Sequence, residues 1–197
     1  MSSDFLSANY WNERYLQNKT GWDIGHVSTP LKEYFDQLTD KNIRILLPGG
    51  GNSYEAGYLL EKRFTDITVV DISDVVTDQL RKKYNSPHIH IVTSDFFALH
   101  DHYDLIVEQT FFCALDPSLR KKYVQAVKNS LTDNGKLVGL LFNREFDANP
   151  PFGGNREAYR QLFSSTLRIL VLENCYNSIP ARSGSELFLI ASKNGIE

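Results

Sequence analysis

Three consecutive glycines, Gly49-Gly50-Gly51, close the apolar run Ile45-Leu46-Leu47-Pro48 and lead into a segment with helical spacing. Few features restrict a chain more. Glycine reaches backbone conformations closed to other residues and lets a ligand approach the backbone closely. Between a strand and a helix, such a turn belongs at the carboxyl end of the first strand of a parallel sheet, where ligands bind. The next β-branched run, Ile67-Thr68-Val69-Val70, ends in Asp71, twenty positions after Gly51. An ionised carboxylate there offers two acceptor oxygens to the hydroxyls of a ribose. The rival role for Asp71 is to cap the following helix, a job for which Ser73 is better placed.

The rest of the chain repeats this alternation of short buried strands and amphipathic helices, which specifies an α/β fold with a mostly parallel sheet covered on both faces. Strands are expected at 43–47, 67–71, 88–92, 103–107 and 136–142. Helices are expected at 53–64, from Ser73 through Val76, Leu80 and Tyr84, and at 117–131. The last is strongly marked: Asp116 fits the N-cap, Pro117 the first turn, and Asn134-Gly135 the stop. Residues 143–155, rich in Asn, Pro and Gly, read as a loop and a possible lid, followed by a helix at 156–164. Strands at 167–173 and 186–191 complete a seven-stranded sheet, the final one antiparallel. Residues 1–42 form an N-terminal helical cap, clearest from Thr29-Pro30 onward, on a Rossmann-like core of 43–197. The chain reads as one domain of 197 residues.

Composition excludes several function classes. The net charge is −3, and the basic triplets Arg81-Lys82-Lys83 and Arg120-Lys121-Lys122 fall on helix faces rather than in a stripe, so no nucleic-acid partner is expected. No apolar run reaches the roughly 20 residues of a bilayer span, so no membrane partner is expected either. Met1-Ser2-Ser3-Asp4 lacks the pattern of a secretory signal, and the two cysteines, Cys113 and Cys175, form no disulfide framework. A cytoplasmic protein, monomer or weak homodimer, is the expectation. His88, His90, His100 and His102 lack matching Cys or carboxylate partners, so no metal site is expected.

The ligand can be narrowed. A dinucleotide turn wants a third glycine three residues after Gly51, where Tyr54 stands. The turn therefore suits an adenosine ligand without a phosphate at this point, such as S-adenosylmethionine. Ile72 adjoins the ribose position. Asp95 and Phe96, after the third strand, are candidates for the adenine amino group and ring, with a plain loop Asp and a core Phe equally open on spacing. Glu108 and Gln109, after the fourth strand, should line the same crevice. Cys113 is a small buried hydrophobe rather than a nucleophile.

Four segments then carry a resemblance: Tyr10-Trp11-Asn12-Glu13-Arg14-Tyr15, Thr20-Gly21-Trp22-Asp23-Ile24-Gly25, the Leu47-Pro48-Gly49 loop with Gly51, and Phe111-Phe112-Cys113-Ala114-Leu115-Asp116-Pro117. Over residues 9–190 the chain resembles the thiopurine S-methyltransferase family, with closest likeness to its halide/thiol methyltransferase branch. The resemblance implies that Trp11, Tyr15 and Trp22 close over S-adenosylmethionine. It implies that Gly49 and Gly51 pass its methionine part, that Asp71 holds the ribose, and that Asp95-Phe96 hold the adenine. Gln109 would touch the cofactor and face the substrate. Phe112 and Phe152 would stand on the substrate side, with Pro150-Pro151-Phe152 and the 178–184 segment as substrate loops. Arg144 and Arg182 are the candidate substrate-side anchors for an acceptor's carboxylate, which Arg can engage bidentately, a surface loop cation being the commoner role for each. Gly50 replaces the family's usual Cys, and Gln109 its usual Arg or Tyr.

The activity this implies is in-line methyl transfer to a small soft nucleophile, a thiol first, a halide or thiopurine-like acceptor next, with S-adenosylhomocysteine as product. Three readings compete: a non-catalytic cofactor or nucleotide-binding protein, a nicotinamide-dependent oxidoreductase on the same fold, and a methyltransferase with a macromolecular acceptor. The second wants the glycine that Tyr54 replaces.

Overall fold

The computed structural model describes residues 6–193; the N-terminal tetrapeptide read above lies outside them. Seven strands form one sheet: β1 (Arg44–Pro48), β2 (Asp66–Asp71), β3 (Ile89–Thr93), β4 (Tyr103–Gln109), β5 (Leu131–Phe142), β6 (Arg168–Asn174) and β7 (Glu186–Ser192). Their spatial order is β3-β2-β1-β4-β5-β7-β6. The first five run parallel. The last, β7, inserts antiparallel between β5 and β6. That is the mostly parallel sheet with an antiparallel final strand expected from the sequence.

Successive side chains of a strand face opposite sides of the sheet, and β1 shows the consequence. Ile45 and Leu47 face a core closed by α2 (Thr29–Asp36), α3 (Tyr54–Glu61) and α4 (Asp74–Lys83), where Leu31, Phe35, Leu59 and Leu80 are buried. Leu46 between them faces a second core under α5 (Arg120–Ser130) and α6 (Arg156–Ser164), with Tyr123, Val127, Tyr159 and Phe163. Apolar burial on both faces is why β1, β2 and β4 read as continuous hydrophobic runs. Caps set the helix starts: Ser73 accepts from the Val76 N–H at 3.1 Å and Asn155 from the Ala158 N–H at 2.9 Å. The N-terminal helix α1 (Ala8–Leu16) docks on α4 through Asn12, which accepts from the Ser73 hydroxyl at 2.5 Å and donates to Asp74 at 2.7 Å.

The largest departure from the expected boundaries lies between α5 and β5. The expected helix at 117–131 is a 3-10 turn at Pro117–Leu119 followed by α5, and the chain is extended from Leu131, five residues before the expected strand. Gly135 is there for the sheet rather than as a helix stop. A Cβ on it would lie 2.8 Å from the Tyr103 carbonyl, at the register shift between β4 and β5.

Candidate functional site

Parallel pairing brings the carboxyl ends of β1, β2, β3 and β4 to one edge, with Pro48 level with Val70 and Asp71 level with Thr93. The turns leaving that edge carry Gly49–Gly51, Asp71-Ile72, Ser94-Asp95 and Gln109-Thr110, so residues far apart in sequence share one crevice. Above them lies a cleft of about 1090 Å³, lined by the cap, these turns, and the 144–151 and 179–185 segments.

The glycine loop is shaped by close approach. Gly49 (φ +60°) has no room for a side chain: a Cβ would lie 2.4 Å from the Phe111 ring. Gly51 (φ +49°) faces the Tyr15 hydroxyl, 2.7 Å from where its Cβ would be. Gly50 is closed off by Val69, whose Cγ1 fills the space a side chain would need.

Asp71 is 9% exposed. One carboxylate oxygen accepts from the Gly51 N–H at 3.2 Å and the other from the Ser73 N–H at 2.9 Å. Each keeps acceptor capacity toward the cleft. Burial pushes the carboxyl above its usual range, opposed by those backbone N–H groups. The same carboxylate helps burial raise the Tyr15 hydroxyl. Over this floor the cap supplies aromatic edges, Trp11 on Trp22 at 5.6 Å and Tyr15 on Trp22 at 5.9 Å between ring centroids. Asp95 spends one oxygen on the Phe97 N–H at 2.9 Å, and the buried Phe96 sits edge-on to Phe111. Ile72 is an exposed apolar side chain on the cleft wall.

Trp11, Tyr15, Trp22, Gly49, Asp71, Ile72, Asp95, Phe96, Arg144 and Arg182 thus line one cleft. Gly51 and Gln109 line a smaller pocket behind the glycine loop, where the Gln109 side-chain oxygen accepts from the Ser28 hydroxyl at 2.6 Å. Phe112, Phe152 and Glu108 stand elsewhere. Phe112 is 1% exposed and packs on Tyr123, Tyr159 and Phe163; its neighbour Phe111 reaches the cleft instead. Pro150 and Pro151 line the cleft and Phe152 does not, its N–H being tied to the Cys113 carbonyl at 2.7 Å.

Arg182 is no surface cation. Its guanidinium is buried, donates to the Trp22 carbonyl at 2.9 Å, pairs with Glu186 at 3.4 Å, and lies over Phe142. It joins the cap to the turn before β7. Arg144 is exposed at the cleft, stacked on Phe146. Cys113 donates to the Thr110 carbonyl at 3.4 Å, and burial pushes its thiol far above the ordinary range. That agrees with a packing role.

Glu108 lies beneath the crevice rather than in its wall. It is 1% exposed; one oxygen accepts from the Phe111 and Phe112 N–H groups at 3.1 and 2.9 Å, the other from the Tyr123 hydroxyl at 3.2 Å. Its backbone passes so close to Gly139 that a Cβ there would lie 2.6 Å from the Glu108 carbonyl. Burial raises its carboxyl to about 7, against backbone and Tyr123 hydrogen bonds that pull it down. The folded protein therefore holds this proton more tightly than the unfolded chain. The stabilisation is full below the ordinary value of 4.5 and is lost as pH rises through about 7. Glu108→Gln keeps the shape and removes the titration. Between pH 5 and 8 the parent should lose roughly 3 kcal/mol relative to the variant, read from denaturant unfolding at each pH.

The sequence reading missed Ser53 and Glu55, which also line the smaller pocket. Ser53 stands at φ +48°, is 3% exposed, and its hydroxyl has no hydrogen-bond partner. Serine is a favoured N-cap, yet this one makes no capping bond to α3. Only burial reveals it.

A sheet of this order, with a crevice at the ends of its parallel strands, is the framework of S-adenosylmethionine-dependent methyltransferases. The 1,6-didemethyltoxoflavin-N1-methyltransferase of Burkholderia thailandensis, solved with S-adenosylhomocysteine, superposes with a TM-score of 0.77 at 14% identity over 95% of this chain and 87% of that one. Magnesium protoporphyrin IX methyltransferase from Synechocystis, solved with S-adenosylmethionine, gives 0.74 at 11% identity over 95% of each. Within that class the chain belongs to the thiopurine S-methyltransferase family, whose model matches residues 6–187. A probable thiol methyltransferase 2 of Arabidopsis thaliana is 26% identical over 79% of this chain and 72% of its own length. A thiopurine S-methyltransferase of Acinetobacter baylyi is 24% identical over 85% and 88%. The chain is an S-adenosylmethionine-dependent methyltransferase, and its residues fit that cofactor: a buried carboxylate with open lone pairs, a side-chain-free cradle, and an orphaned hydroxyl beside it.

Proposed function

We propose that the protein methylates a small thiol, with 1–42 acting as cap and 43–197 as core of one catalytic domain. The observation that carries this is the asymmetry of the cleft. One end presents Asp71 and Asp95. The other is walled by Phe142, Phe146, Pro150 and Pro151, with the Arg144 cation stacked on Phe146 at the edge. Bound S-adenosylmethionine supplies a methyl group on a positively charged sulfur, an electrophile that needs an aligned nucleophile more than an acid–base pair.

On this reading Asp71 accepts from the ribose, Asp95 and Phe96 flank the adenine, and Trp11, Tyr15 and Trp22 exclude water. Gln109 belongs to the cofactor side, since it lines the pocket behind the glycine loop and is held by Ser28. The acceptor's sulfur forms the new carbon–sulfur bond as the old one breaks, and its proton leaves to solvent. Nearby positive charge lowers a thiol's pKa without a dedicated base. Arg144 supplies part of that charge and fits an acceptor carrying its own carboxylate. The names of the thiol and thiocyanate methyltransferases among the relatives support a soft acceptor. The acidic net charge supports a small molecule rather than nucleic acid, and we read the protein as a cytoplasmic monomer or weak homodimer. No helix among the described residues is long and apolar enough to cross a membrane.

The test is methyl transfer from labelled cofactor to thiols, halides, thiopurines and metalloid anions. Methylated thiol is the expected product; cofactor binding with no product across the panel would establish a binding protein instead. Arg144→Ala should raise KM for a carboxylate-bearing thiol about tenfold, with kcat and cofactor affinity nearly unchanged. An equal change with a neutral thiol would remove Arg144 from acceptor recognition.

A further inference from the structure

Between β5 and α6 the chain makes a loop, residues 144–153, whose two ends meet. The Gly154 N–H donates to the Arg144 carbonyl at 3.0 Å, and a Cβ on Gly153 would run into that same oxygen. Within the loop Arg144, Phe146, Pro150 and Pro151 line the cleft. Its return limb is fastened twice. The Phe152 N–H donates to the Cys113 carbonyl at 2.7 Å. The carbonyls of Phe152 and Gly153 are both taken by Arg120, the first residue of α5, whose Nη2 donates to them at 3.3 and 2.8 Å.

Arg120 itself lines neither the cleft nor the smaller pocket. Its guanidinium lies over the rings of Phe112 and Tyr159, 4.9 and 5.8 Å from their centroids. Both seats are fixed. Glu108 accepts from the Phe112 N–H at 2.9 Å, and the Tyr159 hydroxyl donates to the Phe142 carbonyl at 2.9 Å. Arg120 therefore touches both the 3-10 turn at Phe112–Ala114 and the loop that presents Pro150 and Pro151. The arrangement has a cost: its Nε is buried with no hydrogen-bond partner among the described residues. An unpaired buried donor is destabilising, so an apolar side chain would fill this space better. What only a guanidinium offers is a planar fork that stacks on aromatic rings while donating to two carbonyls.

We propose that Arg120 is a positioning residue for the methyl acceptor. It pins the 144–153 loop to the turn after β4, and so fixes where the acceptor's seat stands relative to the donor methyl. The proposal rests on the reading that this end of the cleft takes the acceptor. Methyl transfer depends mainly on orientation, and a misplacement of about 1 Å caused far from the chemistry can cost about a hundredfold. Loosening the loop should reach the rate while leaving the adenosine side alone. Arg144 offers charge to one kind of acceptor; Arg120 should act on neutral and carboxylate-bearing acceptors alike.

The acceptor for the test is whichever thiol, halide, thiopurine or metalloid anion the parent methylates, so failure of the thiol reading leaves the test in place. Arg120→Lys keeps the charge but loses the fork; Arg120→Met keeps only the apolar stem. Acceptor kcat/KM should fall about 10-fold in the first and about 100-fold in the second, with calorimetric affinity for S-adenosylhomocysteine within threefold of the parent in both. Amide hydrogen exchange should speed up at Phe152 and Gly154 and not in β4 or β5. Gly153→Ala disturbs the same loop from its other side. It should reproduce the loss in kcat/KM, and combined with Arg120→Lys it should cost less than the two losses multiplied. Should Arg120→Met fail to fold, the other two variants decide. Cofactor affinity falling in step with kcat/KM would make Arg120 structural. Unchanged loop exchange, or faster exchange with unchanged kcat/KM, would remove it from acceptor positioning. If the parent methylates none of the panel, the proposal falls together with the small-acceptor reading.

Discussion

Asp71→Ala is expected to abolish calorimetrically detectable binding of S-adenosylmethionine and S-adenosylhomocysteine. Two charge-assisted hydrogen bonds to a ribose are worth about 1.5–3 kcal/mol each, which converts to a loss of at least a hundredfold. The loss has a second component, since the carboxylate also holds the Gly51 and Ser73 N–H groups at 3.2 and 2.9 Å. Removing it frees the glycine loop and the start of α4 together. Asp71→Asn separates the two parts: an amide oxygen still serves one backbone N–H, but its NH₂ cannot accept from a ribose hydroxyl. It should keep most of the parent's Tm and still bind more than tenfold more weakly. An affinity within threefold of the parent for either variant would remove Asp71 from the ribose site.

Gly49→Ala is expected to be nearly as damaging for a different reason. A left-handed backbone costs a non-glycine residue about 1 kcal/mol, and the new methyl would lie 2.4 Å from the Phe111 ring. Phe111 is held by Phe96 and Tyr123, with centroids at 5.4 and 6.1 Å, so it yields only by disturbing the adenine side of the cleft. Overpacking of this kind costs about 1–3 kcal/mol. A Tm lowered by several degrees and cofactor affinity reduced at least tenfold are the outcomes to measure. Pairing the change with Phe111→Leu should return part of both, whereas an additive loss would show that the clash with the ring is not the cause.

The alternation of strands and helices was legible because β1, β2 and β4 are buried on both faces and flanked by capped helices. The cluster at their carboxyl ends followed from it, since parallel strands must deliver Gly49, Asp71 and Asp95 to one edge. What local pattern left undecided was orientation. Phe111 and Phe112 are chemically alike and adjacent, and only the 3-10 turn at Phe112–Ala114 decides which meets the cleft. Glu108 among apolar neighbours looked like a wall residue. It is instead the buried acceptor that fixes that turn, a role that depends on Tyr123 from a distant helix. The start of β5 was hidden because Leu131 satisfies the apolar spacing of α5 and the pairing with Tyr103 equally well. The aromatic cap was visible through the family resemblance and not through periodicity. Ser53 and Glu55 carried no signal at all, because an N-cap serine and a first-turn acid are what any helix start shows.

The cap is tethered at several distant points, among them the start of α4 through Asn12, Ser73 and Asp74, the end of β4 through Ser28 and Gln109, and the turn before β7 through Arg182 and the Trp22 carbonyl. A cover fastened on opposite rims cannot swing on a single hinge. Displacing the cap requires its fastenings to let go, and the Arg182 end, buried with Glu186, resists doing so. Opening of the cap is then a local unfolding event, whose frequency is a property of the fastenings. Two relatives with identical contacts to the adenosine would still open their caps at different rates if only one of them kept this arginine.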